Sequence, residues 1–448
     1  MNDQLTRRQV LRTASLTALA AFLPASLRSI EVLRALTASK VLILVELEGG
    51  NDGLNTIVPF GQSAYATKRP TLKLTQAANA AADYITTFVP LGGTGYTFSG
   101  AQPSTAFHGD LTGLGIHKAL DPLQAAWQNQ DLAVVLGVGY GNPNRSHFRG
   151  IDIWNSAVTD DQPLASTGWL GRMLAAQGVG TSTTNGLLFR RPNNNPLTQA
   201  GLREVSLSKP EDFIANSAEI ATLGATAPVA TGNAALDLIL TARFQAAQAR
   251  ASLDAAMKRI APVATWDGQF PPGMFPATTP ARTSVLGPQA EHIARCIIGS
   301  LDCPFYKMSI GGFDNHTDQQ AKHADLLGDV AQSLAALRTA LITAGRWNDV
   351  LIMTYSEFGR RVEENDSKGT DHGTAAPHFF LGGGINGGVY GTQPSLTALD
   401  TRGDLQFSTD FRELYATCGS WLGVSAGNSD TALNRGSGSH SPISGLFS

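Results

Sequence analysis

The sequence has little charge for its length. Asp, Glu, Lys and Arg together make up 15% of the 448 residues, and the formal net charge is −3. An average soluble chain has about 25% charged residues. Proteins that bind nucleic acid usually have a concentrated positive surface, so this composition argues against a nucleic-acid partner. Apolar residues make up 42% of the chain, which is ample material for a core.

Cysteines and long apolar runs are also scarce. The three cysteines, Cys296, Cys303 and Cys418, allow at most one bridge and exclude a disulfide framework. A transmembrane helix needs about 20 consecutive, mostly apolar residues. No segment after the N-terminal leader has such a run, so we expect no membrane span in the mature chain.

The N-terminus has the pattern of an export signal. Arg7 and Arg8 form an arginine pair followed by Val10 and Leu11, and a short alanine-rich apolar stretch covers residues 14–23. This pattern is typical of a twin-arginine leader, although a retained basic amphipathic helix is the alternative. We assign residues 1–39 to the signal and leader. The twin-arginine translocase is then the partner during export, and the protein is periplasmic or otherwise exported.

Short apolar runs alternate with helical patterns along the rest of the chain. Runs rich in strand-forming residues cover 41–47, 131–138, 186–189, 306–310, 349–354 and 378–381. Helical spacing predicts a long helix around Leu326 to Leu341 and two others at 234–258 and 288–300.

A strand, a long helix and a further strand make the βαβ signature of a parallel sheet. We therefore predict the α/β class, with a doubly wound, mostly parallel sheet sandwiched by helices. One domain is expected at 40–435, with loop insertions at 93–108 and 266–283 and a flexible tail at 436–448.

Acidic, hydroxyl and imidazole side chains lie next to these strands. Their positions are Asp52, Ser146, Asp314, His316, Glu357 and His372. Ligand sites of open α/β sheets lie at the carboxyl edge of the strands, so we expect these residues to meet there. Such ligands suit divalent Zn, Mn, Mg or Ca.

Each of these residues also has an ordinary structural interpretation. Asp52 could shape a glycine turn, and Ser146 could cap a helix that buries Phe148, Ile151 and Trp154. Two further alternatives are a surface pair of Glu357 with Arg360 and a helix cap made by Asp314 and His316. The repeated placement beside strands favours the metal site.

Six ordered motifs resemble the bacterial family known as domain of unknown function 1501. They are the twin-arginine leader, Leu-Glu-Gly-Gly-Asn-Asp-Gly-Leu-Asn, Arg-Ser-His-Phe, Gly-Gly-Phe-Asp-Asn-His, Ser-Glu-Phe-Gly-Arg and Asp-His-Gly. The resemblance extends from about Lys40 to the C-terminus. That family is grouped with the alkaline phosphatase and sulfatase superfamily, which implies an alkaline phosphatase-like α/β/α sandwich.

The resemblance also implies roles for individual residues. It places metal ligands at Asp52, Asp314, His316, Glu357 and His372. It places a nucleophile at Ser146, with Arg145 and His147 beside it in the catalytic group, and Arg145 or Arg149 holding ester oxygens. A metal would lower the pKa of a bound hydroxyl and offset the charge of a phosphate or sulfate ester.

The sequence departs from the superfamily pattern at three places. Phe358 follows Glu357 where a two-metal phosphatase has a histidine ligand. Asp314 and His316 are separated by one residue, with Asp318 in the later slot. The Asn-Arg-Ser order at Ser146 lacks the Cys/Ser-x-Pro-x-Arg context of a sulfatase nucleophile. We therefore expect a single or altered metal site rather than a two-zinc site.

The expected function is an exported metal-dependent hydrolase or transferase of phosphate or sulfate esters. Its substrate would be a small-molecule or glycan ester. The alternative is a relative without turnover that acts as an envelope binding or assembly protein. A peptidase or sugar hydrolase that uses Glu357 and an aspartate is a third interpretation.

Overall fold

The structure is a computed structural model of the full chain. It describes residues 40–93, 110–160, 162, 165–178, 184–189, 195–207, 226–259, 284–433 and 438–447. The predicted export signal, the loop predicted at 266–283 and most of the loop predicted at 93–108 lie outside the described residues.

Fifteen strands and ten α-helices occur within these ranges. The strands are β1 (Val41–Glu48), β2 (Ile57–Val58), β3 (Thr75–Gln76), β4 (Thr87–Pro90), β5 (Gly115–His117), β6 (Leu132–Gly139), β7 (Gly186–Phe189), β8 (Glu204–Leu207), β9 (Phe305–Gly311), β10 (Val350–Tyr355), β11 (Arg360–Glu364), β12 (Thr370–His372), β13 (Ala376–Leu381), β14 (Gly388–Tyr390) and β15 (Thr409–Asp410). The helices are α1 (Gly53–Thr56), α2 (Ser63–Lys68), α3 (Gln124–Gln128), α4 (His147–Ser156), α5 (Trp169–Ala176), α6 (Ala234–Arg259), α7 (Leu286–Ile298), α8 (Gln319–Thr343), α9 (Phe411–Trp421) and α10 (Ala426–Leu433). All six predicted strands and all three predicted helices are confirmed.

A central sheet of nine described strands organises the molecule. Its spatial order is β14, β6, β13, β10, β1, β9, β7 and β8, and β15 also pairs with β6. β1 lies between β9 and β10 and is parallel to both. β13 is antiparallel to its neighbours β10 and β6. The sheet is therefore mostly parallel, as predicted, with one reversed strand.

Both faces of this sheet are buried. Along β1, Ile43 and Val45 pack into a core with the side chains of α7 and α8, whereas Leu42 and Leu44 pack into a second core with α5 and α9. A strand covered on both faces needs an unbroken apolar run rather than an alternating one, which explains the sequence of β1. The doubly wound sandwich predicted from the sequence is confirmed.

Residues 438–447 differ from the predicted flexible tail. The side chain of Leu446 is fully buried, and the Phe447 ring stacks on Trp421 at a centroid distance of 5.7 Å. Asn386 donates a backbone hydrogen bond of 2.8 Å to the Leu446 carbonyl. Burial of Leu446 and packing of the half-buried Phe447 hold this segment against the second core.

Two smaller features complete the described fold. Four short strands form a separate sheet in the order β2, β5, β4, β3, and β11 pairs with β12 in a two-stranded ribbon. This ribbon places Arg360 opposite His372. The three cysteines are free and buried. Across the residues that the structure describes, no helix combines the length and apolarity that a membrane crossing requires.

Candidate metal centre

Several predicted site residues meet at one edge of the central sheet. Asp314 follows β9 and Glu357 follows β10, so both lie at the carboxyl ends of parallel strands. His147 begins α4, soon after the end of β6. His372 precedes β13, and it reaches the same edge because β13 runs in the opposite direction.

The centre of this group is the Asp314 carboxylate. Asp314, His147 and His372 each offer one ligand atom, and the three atoms lie within 4.8 Å of one another. Asp314 Oδ1 is 3.0 Å from His372 Nε2, and Asp314 Oδ2 is 3.3 Å from His147 Nε2. We call His147, Asp314 and His372 the Asp314 cluster.

His316 lies against the Asp314 cluster. Its Nε2 atom is 2.9 Å from Asp314 Oδ1 and 3.0 Å from His372 Nε2. Two imidazole nitrogens at this separation need a proton or a cation between them, because two lone pairs would repel. His316 is thus positioned as a fourth ligand candidate.

The other nitrogen of each imidazole faces an oxygen. His147 Nδ1 is 2.7 Å from Glu357 Oε1, His372 Nδ1 is 2.9 Å from the Arg145 carbonyl, and His316 Nδ1 is 3.4 Å from Asp371 Oδ1. A proton on Nδ1 leaves the Nε2 lone pair free to bind a metal. Such outer partners are typical of histidines that ligate metals.

The surroundings of His147 show whether these residues suit a bound cation. Its Nε2 atom is buried and makes no hydrogen bond to any described residue, although it faces the Asp314 carboxylate. An unsatisfied buried nitrogen is costly unless something binds it. The donor set of imidazoles and one carboxylate therefore fits a divalent cation.

Charge holds Asp314 in the form that a metal needs. Partial burial raises the pKa of Asp314, but the hydrogen bond and charge of Arg360, together with the neighbouring His372 and His147, outweigh it and bring the pKa well below its ordinary value. The Arg360 Nη2 to Asp314 Oδ1 distance is 2.7 Å. The hydrogen bond to Glu357 raises the pKa of His147, and burial opposes that effect. The cluster thus keeps an ionised carboxylate at its centre.

Glu357 and Arg360 support the cluster from inside the protein. The side chains are buried, so the alternative of a surface pair is wrong. Glu357 accepts a 2.9 Å hydrogen bond from the Gly49 N–H, and Arg360 donates to the carbonyls of Gly50 and Thr370 at 2.7 and 2.9 Å. These bonds tie the turn after β1 to the β11–β12 ribbon.

Asp52 is not brought into the Asp314 cluster. Its carboxylate is buried and accepts a hydrogen bond of 2.6 Å from Arg69 Nη1, and Gln319 Nε2 also donates to it. Burial raises the pKa of Asp52, but the Arg69 charge outweighs it and lowers the pKa overall. The Asp52 side chain also caps α1 through the Leu54 N–H. The structure therefore places the Arg69 guanidinium next to the carboxylate that the sequence predicted as a metal ligand.

Ser146 and Arg145 lie beside the cluster. Ser146 is the exposed N-cap residue of α4, and its side chain makes no capping hydrogen bond. Arg145 pairs with the buried Asp404, and Arg149 pairs with Asp160. A carboxylate therefore lies next to each of the two arginines that the resemblance offered for ester oxygens.

The burial predicted for helix α4 is wrong at Phe148 and right at Trp154. Phe148 is 86% exposed and Ile151 is half-buried, whereas Trp154 is buried in the core together with Ile153. This orientation turns His147 toward Asp314 and Glu357. The sequence pointed to His147 as a catalytic residue rather than a ligand, and the only signal for its position was the Arg-Ser-His-Phe motif.

A model of the family described as "Protein of unknown function (DUF1501)" matches residues 39–428. The chain belongs to this family. No curated protein matches it.

Several solved structures resemble this family member at low identity. A protein in the alkaline phosphatase superfamily from Vibrio parahaemolyticus is 12% identical, with a TM-score of 0.35, over 86% of this chain and 67% of its own. A phosphonate monoester hydrolase from Silicibacter pomeroyi is 14% identical, with a TM-score of 0.34, over 90% and 75%. A lipoteichoic acid synthase from Listeria monocytogenes is 11% identical, with a TM-score of 0.34, over 87% and 74%.

Proposed function

We propose that the protein is an exported, metal-dependent hydrolase or transferase of phosphate or sulfate esters. The observation that carries this proposal is the geometry of the three imidazoles. Their Nε2 atoms gather at Asp314 while each Nδ1 atom faces an oxygen. The sequence resemblance to the alkaline phosphatase and sulfatase superfamily supports the choice of ester chemistry, and the N-terminal pattern supports export.

The residues that would hold the metal are His147, Asp314 and His372, with His316 as a further ligand. Imidazole nitrogens suit Zn or another transition metal, whereas Ca and Mg prefer all-oxygen sites. Within the proposed set of Zn, Mn, Ca and Mg, this donor set favours Zn. When bound, the metal would supply a Lewis acid for an ester oxygen and lower the pKa of a bound hydroxyl.

The protein's own side chains would supply the nucleophile and hold the metal ligands in position. Ser146 begins the helix that carries His147, so its exposed hydroxyl can approach an ester held at the cluster. Glu357 accepts the hydrogen bond that orients His147. Arg360 keeps Asp314 ionised. A serine nucleophile would form an ester intermediate, and water would then release it in a hydrolase.

Hydrolysis of 4-nitrophenyl phosphate and 4-nitrophenyl sulfate tests this proposal. The metal-loaded wild type should release nitrophenol from at least one of them, and Ser146→Ala and Asp314→Asn should each abolish release. Ser420→Ala is the matched control, because Ser420 is an exposed serine on α9, remote in sequence from the cluster. Equal activity in wild type and Ser146→Ala would overturn the nucleophile assignment.

One observation favours the alternative of a binding or assembly protein without turnover. Ser146 caps α4 without a side-chain hydrogen bond, so no described base is arranged to take its proton. In that case the metal would still bind to the wild type and depart on Asp314→Asn, but neither ester would be cleaved.

A further inference from the structure

A cavity beside the candidate metal centre has no part in the proposed function so far. Its volume is about 780 Å³, and pockets for small organic ligands enclose roughly 300–1,000 Å³. Arg145 forms part of its wall, and the Arg145 carbonyl accepts the hydrogen bond from His372 Nδ1. A molecule in this cavity would therefore lie next to the Asp314 cluster.

The cavity wall combines polar groups with one exposed ring. Asn142, Asp400 and Gln406 line it and offer amide and carboxylate groups that bind hydroxyls. Phe407 also lines it and is 42% exposed, so its ring provides an apolar face. A sugar or polyol presents both hydroxyls and an apolar C–H face, and it matches this wall.

The wall also carries positive charge. Asp404 is fully buried and pairs with Arg145 and Arg361. Arg402 belongs to the same wall and is exposed, and its guanidinium has no ion pair with any residue that the structure describes. Of the two acidic residues in the wall, Asp160 pairs with Arg149, and Asp400 Oδ1 accepts the backbone N–H groups of Arg402 and Asp404. Arg402 is therefore the arginine of this wall that is available to an anionic group of a ligand.

The backbone at Arg402 is held in place although its side chain is free. Its N–H donates a 2.9 Å hydrogen bond to Asp400 Oδ1, and its carbonyl accepts from Arg361 Nη2. Because this backbone is already fixed, binding of an anion by the side chain does not have to order the loop as well.

We infer that this cavity binds the sugar or polyol part of the ester substrate, and that Arg402 pairs with a second anionic group on it. The inference rests on the proposed function, because the reacting ester would lie at the Asp314 cluster. The substrate class is then an acidic sugar ester, which carries the reacting phosphate or sulfate at one position and another anionic group elsewhere.

Binding of glucuronate and glucose tests the cavity without any need for turnover. In saturation-transfer NMR, the wild type should give a stronger signal with glucuronate than with glucose. Arg402→Gln should remove that difference. Arg243→Gln should keep it, because Arg243 is an exposed arginine on α6, which does not line the cavity. Equal signals for the two sugars, or an unchanged preference in Arg402→Gln, would overturn the inference.

Two further comparisons separate this inference from the proposed function. Asp314→Asn removes the proposed metal centre but should still prefer glucuronate, so loss of ester cleavage would not remove the binding result. If the wild type cleaves sugar phosphates, Arg402→Gln should raise KM for glucuronic acid 1-phosphate roughly fivefold, the upper range for an exposed ion pair. KM for glucose 1-phosphate should stay unchanged. An equal rise in KM for the two sugar phosphates would contradict the proposal that Arg402 binds the second anionic group.

Discussion

Two aspartates follow neighbouring strands at the same edge of the sheet, and their surroundings differ. Asp52 is 2% exposed and faces the buried guanidinium of Arg69. The Asp314 side chain is 44% exposed and faces His147, His316 and His372. A guanidinium always carries its own charge, whereas neutral imidazoles offer lone pairs.

This difference in surroundings shows that a position directly after a strand does not by itself determine the role of a carboxylate. The Asp52 carboxylate is neutralised within the core, and Gln319 links it to Thr370 of the ribbon through its two amide atoms. The Asp314 carboxylate has one permanent cation, Arg360, and three imidazoles that can lose or share protons. We therefore propose a structural role for the Asp52 network and a ligand role for the Asp314 cluster.

The largest effect should come from breaking the buried pair. Asp52→Asn leaves the Arg69 charge without its counterion in the core, and loss of one partner of a buried pair costs about 3–5 kcal/mol. Urea denaturation followed by circular dichroism measures this change in the free energy of unfolding. Lys68→Gln is the matched control, because its partner Glu363 is 69% exposed, and a comparable loss there would remove the contrast between buried and exposed pairs.

The second prediction concerns how the free energy of unfolding depends on pH through a histidine near Asp52. Burial lowers the pKa of His323 from 6.5 to about 4. The His323 Nε2 atom lies 2.9 Å from Oδ1 of Asn51, the residue that precedes Asp52. The unfolded chain therefore binds a proton between pH 6.5 and 4 that the folded chain does not, so stability falls as pH decreases through this window. The expected loss is about 3 kcal/mol.

The variant His323→Gln should flatten this part of the pH profile. Denaturation midpoints measured at pH 7, 5.5 and 4 would show it. The buried His117 remains in the variant and keeps its own contribution, because burial also lowers its pKa, to about 3. An unchanged slope between pH 7 and 4 would mean that His323 does not titrate in this way.

The smallest effect concerns a support of the cluster. Glu357→Gln keeps the shape of the side chain but removes the charge that faces His147 Nδ1, and loss of such an outer partner weakens metal affinity about 10-fold to 100-fold. We expect the lower end, since an amide oxygen can still accept the hydrogen bond. Competition with a zinc chelator measures the affinity, and equal affinity in wild type and variant would exclude this positioning role.

The sequence was sufficient to predict the strands, the long helices and the doubly wound sheet. The apolar runs of β1 and β10 and the leucine spacing of α8 are strong periodic signals. They also placed Asp314, Glu357 and His372 near each other. These predictions were correct because they depend on local sequence patterns, which can be recognised without knowledge of tertiary contacts.

Other features depended on contacts that no local pattern encodes. The direction of β13, which brings His372 to the shared edge, is set by pairing with β10 and β6. The direction of the Asp52 side chain follows from a turn in which Gly49 and Gly50 adopt φ values of 117° and 74°. A Cβ at Gly49 would collide with the Asp314 backbone, so the turn packs closely and directs Asp52 toward Arg69.

The metal content of three purified proteins tests the central claim most directly. Elemental analysis should be made on the wild type, Asp314→Asn and Asp52→Asn, each prepared without chelator and shown to be folded by circular dichroism at low temperature. We predict a divalent metal in the wild type and in Asp52→Asn, and none in Asp314→Asn. Metal retained by Asp314→Asn, or lost from folded Asp52→Asn alone, would contradict the division between the Asp314 cluster and the Asp52 network.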